Sequence, residues 1–282
     1  MGRVDEMRAT AKRFAERGEV MRTQHESVDV LYVIADRDSE VGGGLLAGAL
    51  AYRIFIWLLP FALVVVGGIG LVSTEESPSS ATRSLGLTGV VASSVASASR
   101  GSSRWYALLI GIPILLWASR SLLKALIVAH RIVWGDLRRS APKPTAVATL
   151  EFLAFMIGYF AIRLLARWIG IWSGSTVVRV VAAIVLVTLW WLLIAVRLPH
   201  GGSSWLALLP GALVVAIGLE VVADVGTYFF APRLRGSEST YGALGIAAGL
   251  LFGLFIVSRL VVASAVLNAA LWHRRSPETH AP

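Results

Sequence analysis

Apolar positions along the chain fall in six long blocks, roughly 45–73, 105–129, 146–168, 177–197, 204–230 and 242–271. At about 1.5 Å of helical rise per residue, each block can cross a bilayer core of about 30 Å. The pattern predicts an all-α membrane protein with six transmembrane helices. Pro60, Pro113 and Pro210 fall within blocks one, two and five and mark expected kinks. Residues 1–43 form a charged arm, in which Val28, Leu31, Ile34 and Ala35 recur at helical spacing. That spacing predicts a helix lying in the membrane interface, ended by Gly42, Gly43 and Gly44. The loop Thr74 to Arg104 is serine-rich, and within it residues 85–91 suggest a short amphipathic helix lying on the membrane. The remaining loops are too short for another domain. The expected organisation is an arm (1–43), a six-helix domain (44–272) and a short tail (273–282).

Composition sharpens this reading. The chain is 56% hydrophobic and 15% charged, against about 45–50% and 25% for soluble proteins. The arm is too charged for a cleavable signal peptide. With the N-terminus inside, fourteen lysines and arginines fall on the side of the termini and seven on the other. The positive-inside bias therefore places both termini in the cytosol. The same bias accounts for the net charge of +9. Nucleic-acid binding would need basic residues gathered on a soluble face, and no soluble segment is large enough.

Several ionisable residues interrupt the apolar blocks, and helical rise gives their depth. Arg53 sits about 12 Å into the first span, and Arg120 and Arg259 lie roughly 10–18 Å from the same, inner side. Lys124 is one turn closer to that side than Arg120, and Glu151 enters within about 8 Å of it. Arg163, Arg167, Glu220 and Asp224 belong to the outer half, where their charges balance and suggest structural pairs. The inner set of Arg53, Arg120, Lys124, Glu151 and Arg259 carries surplus positive charge. Arginine forks suit phosphate or carboxylate, so this set is a candidate cavity for an anionic lipid or solute. The competing reading is structural, with the arginines paired to Glu151, capping carbonyls or snorkelling to headgroups.

Nothing in the sequence indicates an enzyme or a cofactor. His25, His130, His200, His273 and His280 are scattered without metal-ligand spacing. The chain has no cysteine, which removes thiolate chemistry. Gly42-Gly43-Gly44 lacks the lysine of a phosphate-binding loop, Glu75-Glu76 is an isolated pair, and the serines of 93–103 form no nucleophile elbow. Gly242, Gly245, Gly249 and Gly253 read as a packing stripe.

Taken in order, several stretches resemble the YihY/BrkB family of bacterial inner-membrane proteins, in its actinobacterial branch. They are Gly44 to Arg53 leading to Pro60, the 85–91 loop, Leu116 to Arg120, Leu209-Pro210-Gly211, and Tyr241 to Gly245 running to Asn268-Ala269. The chain departs from the family pattern where Arg53 replaces the second of two tyrosines. It departs again where Val266 and Leu267 precede Asn268 without the family's acid. The resemblance implies six helices, an inner-membrane location, and association with envelope integrity or with export of lipids or solutes. A ribonuclease label also attached to the family finds no cytosolic metal-ligand or acid–base cluster here. The expected function is non-enzymatic handling of an anionic lipid or solute, with membrane lipids as partners; the alternative is an envelope scaffold whose charges are structural.

Overall fold

A computed structural model describes residues 26–72, 103–136, 143–225 and 231–275. Among these residues there are seven α-helices and no strand. They are α1 (Glu26–Glu40), α2 (Gly43–Val72), α3 (Ser103–Trp134), α4 (Ala146–Ser173), α5 (Thr176–Arg197), α6 (Leu209–Val225) and α7 (Ala231–Arg275). A single 3-10 turn, Trp205–Leu208, leads into α6. Helices α2 to α7 supply six segments long and apolar enough to cross a membrane. The fifth opens on that 3-10 turn and is described as a helix over Leu209–Val225. The sixth helix is longer than its block, running over Ala231–Arg275. The 85–91 segment and the arm before Glu26 lie outside the described residues.

The spans form a ring in chain order. α2 packs on α3, α4 on α5, α5 on α6, α6 on α7, and α7 returns to α2. The α3–α4 contact is the sparsest around the ring. Short connections dictate neighbours. Gly174 ends α4 with φ 64° and Ser175 caps α5 by accepting from the Val178 N–H, so the chain reverses at once. Small residues let backbones approach where spans meet. Ala47, Ala118, Ala212, Ala216, Ala265 and Ala269 are buried. Large apolar side chains such as Leu45, Leu109, Leu164 and Ile171 point outward, as a lipid-facing surface requires.

Several polar side chains inside the ring bond to the neighbouring helix or to their own turn, whereas Ser258 Oγ has no partner among the described residues. The Trp57 indole N–H donates to Ser119 Oγ at 2.8 Å, and that hydroxyl donates to the Leu115 carbonyl at 2.7 Å. The Trp190 indole N–H donates to the Phe155 carbonyl at 2.9 Å. Pro60 and Pro113 lie inside α2 and α3. Pro210 does not interrupt a helix; it stands in the first turn of α6. There Asn268 on α7 accepts from the Gly211 N–H at 2.8 Å and donates to the Leu208 carbonyl at 3.2 Å. A Cβ on Gly211 would come within 2.5 Å of Asn268 Nδ2 and of the Ser264 carbonyl oxygen, so only glycine fits this crossing.

Helix α1 is tied along α7. Arg274 pairs with Asp29 at 3.2 Å, and Arg259 with Asp38 farther along both helices. Arg37 donates to the Val133 carbonyl of α3 at 3.0 Å. The predicted apolar face is only partly the packed one: Ile34 is half-buried, whereas Leu31 and Ala35 are exposed.

Candidate cationic groove

Two helical stripes build the site. On α2, Leu46, Ala49, Leu50 and Arg53 recur at three- and four-residue spacing and so share a face. On α3, Trp117, Arg120, Ser121, Lys124 and Val128 do the same. The tight α2–α3 packing sets these faces side by side, and Lys143-Pro144, just before α4, closes one edge. The result is a hollow of about 550 Å³ holding four cations, Arg53, Arg120, Lys124 and Lys143, with no carboxylate among its lining residues. Arg53 donates to Ser121 Oγ, which fixes its guanidinium across the α2–α3 seam. A smaller hollow of about 220 Å³ adjoins it, again lined by Arg53, Trp117 and Ser121. Arg53, Arg120, Lys124 and Lys143 are all exposed, and among the described residues no ion pair engages any of them.

The groove gathers only part of the predicted inner set. Arg53, Arg120 and Lys124 converge; Arg259 and Glu151 do not. Arg259 makes a two-pronged bond to Asp38, Nη1 to Oδ1 at 2.6 Å and Nη2 to Oδ2 at 2.5 Å. Gly43 makes room for this pair, since a Cβ there would collide with both side chains. The pairing of Glu151 with a groove arginine is replaced by a bond from Arg197 at 2.7 Å. The cause is the α4–α5 reversal, which sets residues equally far from Gly174 opposite each other. In the outer set Arg163 pairs with Glu220, which is 5% exposed. The second carboxylate oxygen of Glu220 has no hydrogen-bond partner among the described residues. Arg167 and Asp224 are exposed, and no described ion pair joins them to that set.

Two participants escaped the sequence reading. Lys143 stands in the segment before α4, outside every apolar block, and the Thr145 cap of α4 holds the chain beside the groove, its Oγ accepting from the Ala148 N–H at 3.1 Å. Asp38 sits outside any apolar block, so a search by membrane depth passes over it. Among the described residues no three His, Asp or Glu side chains gather as metal ligands.

No curated protein and no solved structure matches the chain. A family model described as Virulence factor BrkB matches residues 34–282, from the middle of α1 through all six spans. The paired motifs Leu209-Pro210-Gly211 and Asn268-Ala269 meet at one helix crossing within that region. The chain therefore belongs to the BrkB family and is a membrane protein with six apolar helices.

Proposed function

We propose that the protein handles an anionic, phosphate-bearing amphiphile of the bilayer without chemically changing it, receiving the headgroup in the α2–α3 groove. The observation that carries this reading is the set of four cations around one hollow with no lining carboxylate. Unpaired charge at membrane depth is costly. A phosphate offsets that cost, since arginine forks and lysine ammonium groups both suit its oxygens. The groove opens at the end of the ring that carries both described chain ends, the start of α1 and the end of α7. The excess of lysine and arginine on that side supports a cytosolic placement. The substrate then enters from the inner leaflet, where anionic headgroups attract basic residues by about 1 kcal/mol per charge.

Lipid analysis of the purified protein tests this reading. Anionic phospholipid is expected to be enriched in the protein fraction relative to the bulk membrane, and Arg120→Gln with Lys124→Gln is expected to abolish the enrichment. Equal lipid profiles for both proteins would sink it.

The scaffold reading draws support from a different observation. Arg259–Asp38, Arg197–Glu151 and Arg163–Glu220 are paired, as structural charges should be. These pairs lie outside the groove. A scaffold role predicts loss of folded protein, and no loss of lipid selectivity, when groove cations are neutralised.

A further inference from the structure

Behind the groove, on the other side of the α2–α3 pair, the six spans line a second, partly open cavity of about 270 Å³. All six spans contribute to it: Leu50 and Trp57 from α2, Leu126 from α3, Met156 from α4, Trp190 from α5, Leu219 from α6 and Val261 from α7, among others. Its walls are carbon apart from the Met156 sulfur, the Tyr159 and Ser258 hydroxyls and the indole nitrogens of Trp57, Trp190 and Trp191. The Trp57 and Trp190 N–H groups are already spent on Ser119 and Phe155. Water needs two to four polar partners to be held in a cavity; beyond Ser258, whose buried Oγ has no hydrogen-bond partner among the described residues, the lining is too apolar to hold a file of water. An empty apolar chamber in turn forfeits dispersion contacts along its lining.

Three features say what fills it. The buried Leu50 lines both cavities, so the cationic groove and the apolar chamber are separated there by one side chain. The chamber extends from Leu50 to Leu58 along α2, about 12 Å toward the membrane middle. Its side wall at Leu126 and Phe152 is the α3–α4 seam, the sparsest contact of the ring, and Lys143-Pro144 of the groove lead directly into α4. A volume of 270 Å³ falls just under the ~300–1,000 Å³ of small-ligand pockets, enough for part of one hydrocarbon chain and too small for a whole lipid.

We infer that the chamber receives one hydrocarbon chain of the amphiphile whose phosphate sits in the groove, the chain entering between α3 and α4. This rests on the groove reading above and adds that the ligand is bound at both ends, by charge outside the ring and by apolar contact within it. The phosphate keeps its place on Arg120, Lys124 and Lys143 while the chain leaves the bilayer for the ring interior.

The test uses the full chain in nanodiscs doped with phosphatidylglycerol or phosphatidylcholine, each carrying a diazirine near one chain terminus, and maps the adducts by peptide mass spectrometry. With phosphatidylglycerol, adducts are expected on the inward residues Met156, Tyr159 and Trp190. Filling the chamber by Met156→Trp is expected to lower them about tenfold, the effect of roughly 1.4 kcal/mol of overpacking. Should that variant fail to fold, Leu126→Phe narrows the same wall. The lipid-facing Ile157→Trp should leave the inward adducts unchanged. Adducts confined to outward residues such as Leu150, Ile157 and Leu164, with phosphatidylglycerol still labelling more than phosphatidylcholine, overturn the chamber and leave the groove standing. Equal labelling by the two lipids overturns the groove and the chamber with it.

Discussion

Asn268 shows how one side chain can hold a membrane protein's crossing together. Without water in the bilayer core, the Leu208 carbonyl and the Gly211 N–H beside Pro210 need protein partners, and Asn268 serves both. Replacing it with alanine strands both groups and opens space where Gly211 was fitted closely. Asn268→Ala is expected to cost about 1–3 kcal/mol, read as a lower unfolding midpoint in detergent. A midpoint unchanged from wild type would mean that the crossing rests on packing alone. The ionisable residues were visible in the sequence as misfits in apolar blocks, but their partners were not. Arg53, Arg120 and Lys124 meet because two helical faces meet. Arg259 is claimed by Asp38, a residue in a polar segment, and membrane depth alone gives no reason to look there.

At the scale of elements, the apolar blocks gave all six spans, because twenty or so consecutive apolar residues leave few alternatives. Their ends were harder to read. α3 continues to Trp134, past the block's expected end, since helical hydrogen bonding tolerates His130 and Arg131 once the bilayer is crossed. α1 was recognisable as a helix, but its orientation was not, because the ion pairs that tie it to α7 join residues far apart in sequence. The ring's alternating directions carry a direct consequence. Ser39 at the end of α1 and Ser173 at the end of α4 belong to opposite ends of the bundle. The chain has no cysteine, so Ser39→Cys and Ser173→Cys each introduce a single label site. An impermeant maleimide added to intact spheroplasts is expected to label Ser173→Cys and to reach Ser39→Cys only after permeabilisation. Labelling of both from outside would refute the topology.

For the whole molecule, closing six spans in chain order creates two environments back to back. One is a cationic hollow on the flank of α2 and α3, and the other is an apolar chamber at the centre, with Leu50 between them. The first was partly legible, since a surplus of arginine at one depth asks for an anion. The second was not, because its lining draws a few residues from every span and no single block announces it. The pairing of charge and apolar space is what the proposed amphiphile would need. The central claim is that the groove selects anionic headgroups. Native mass spectrometry of the protein titrated with phosphatidylglycerol and phosphatidylcholine measures that selectivity directly. Wild type is expected to prefer phosphatidylglycerol, and Arg120→Gln with Lys124→Gln to lower that preference roughly 30-fold, at about 1 kcal/mol for each charge removed. An unchanged preference in a folded double variant would contradict it.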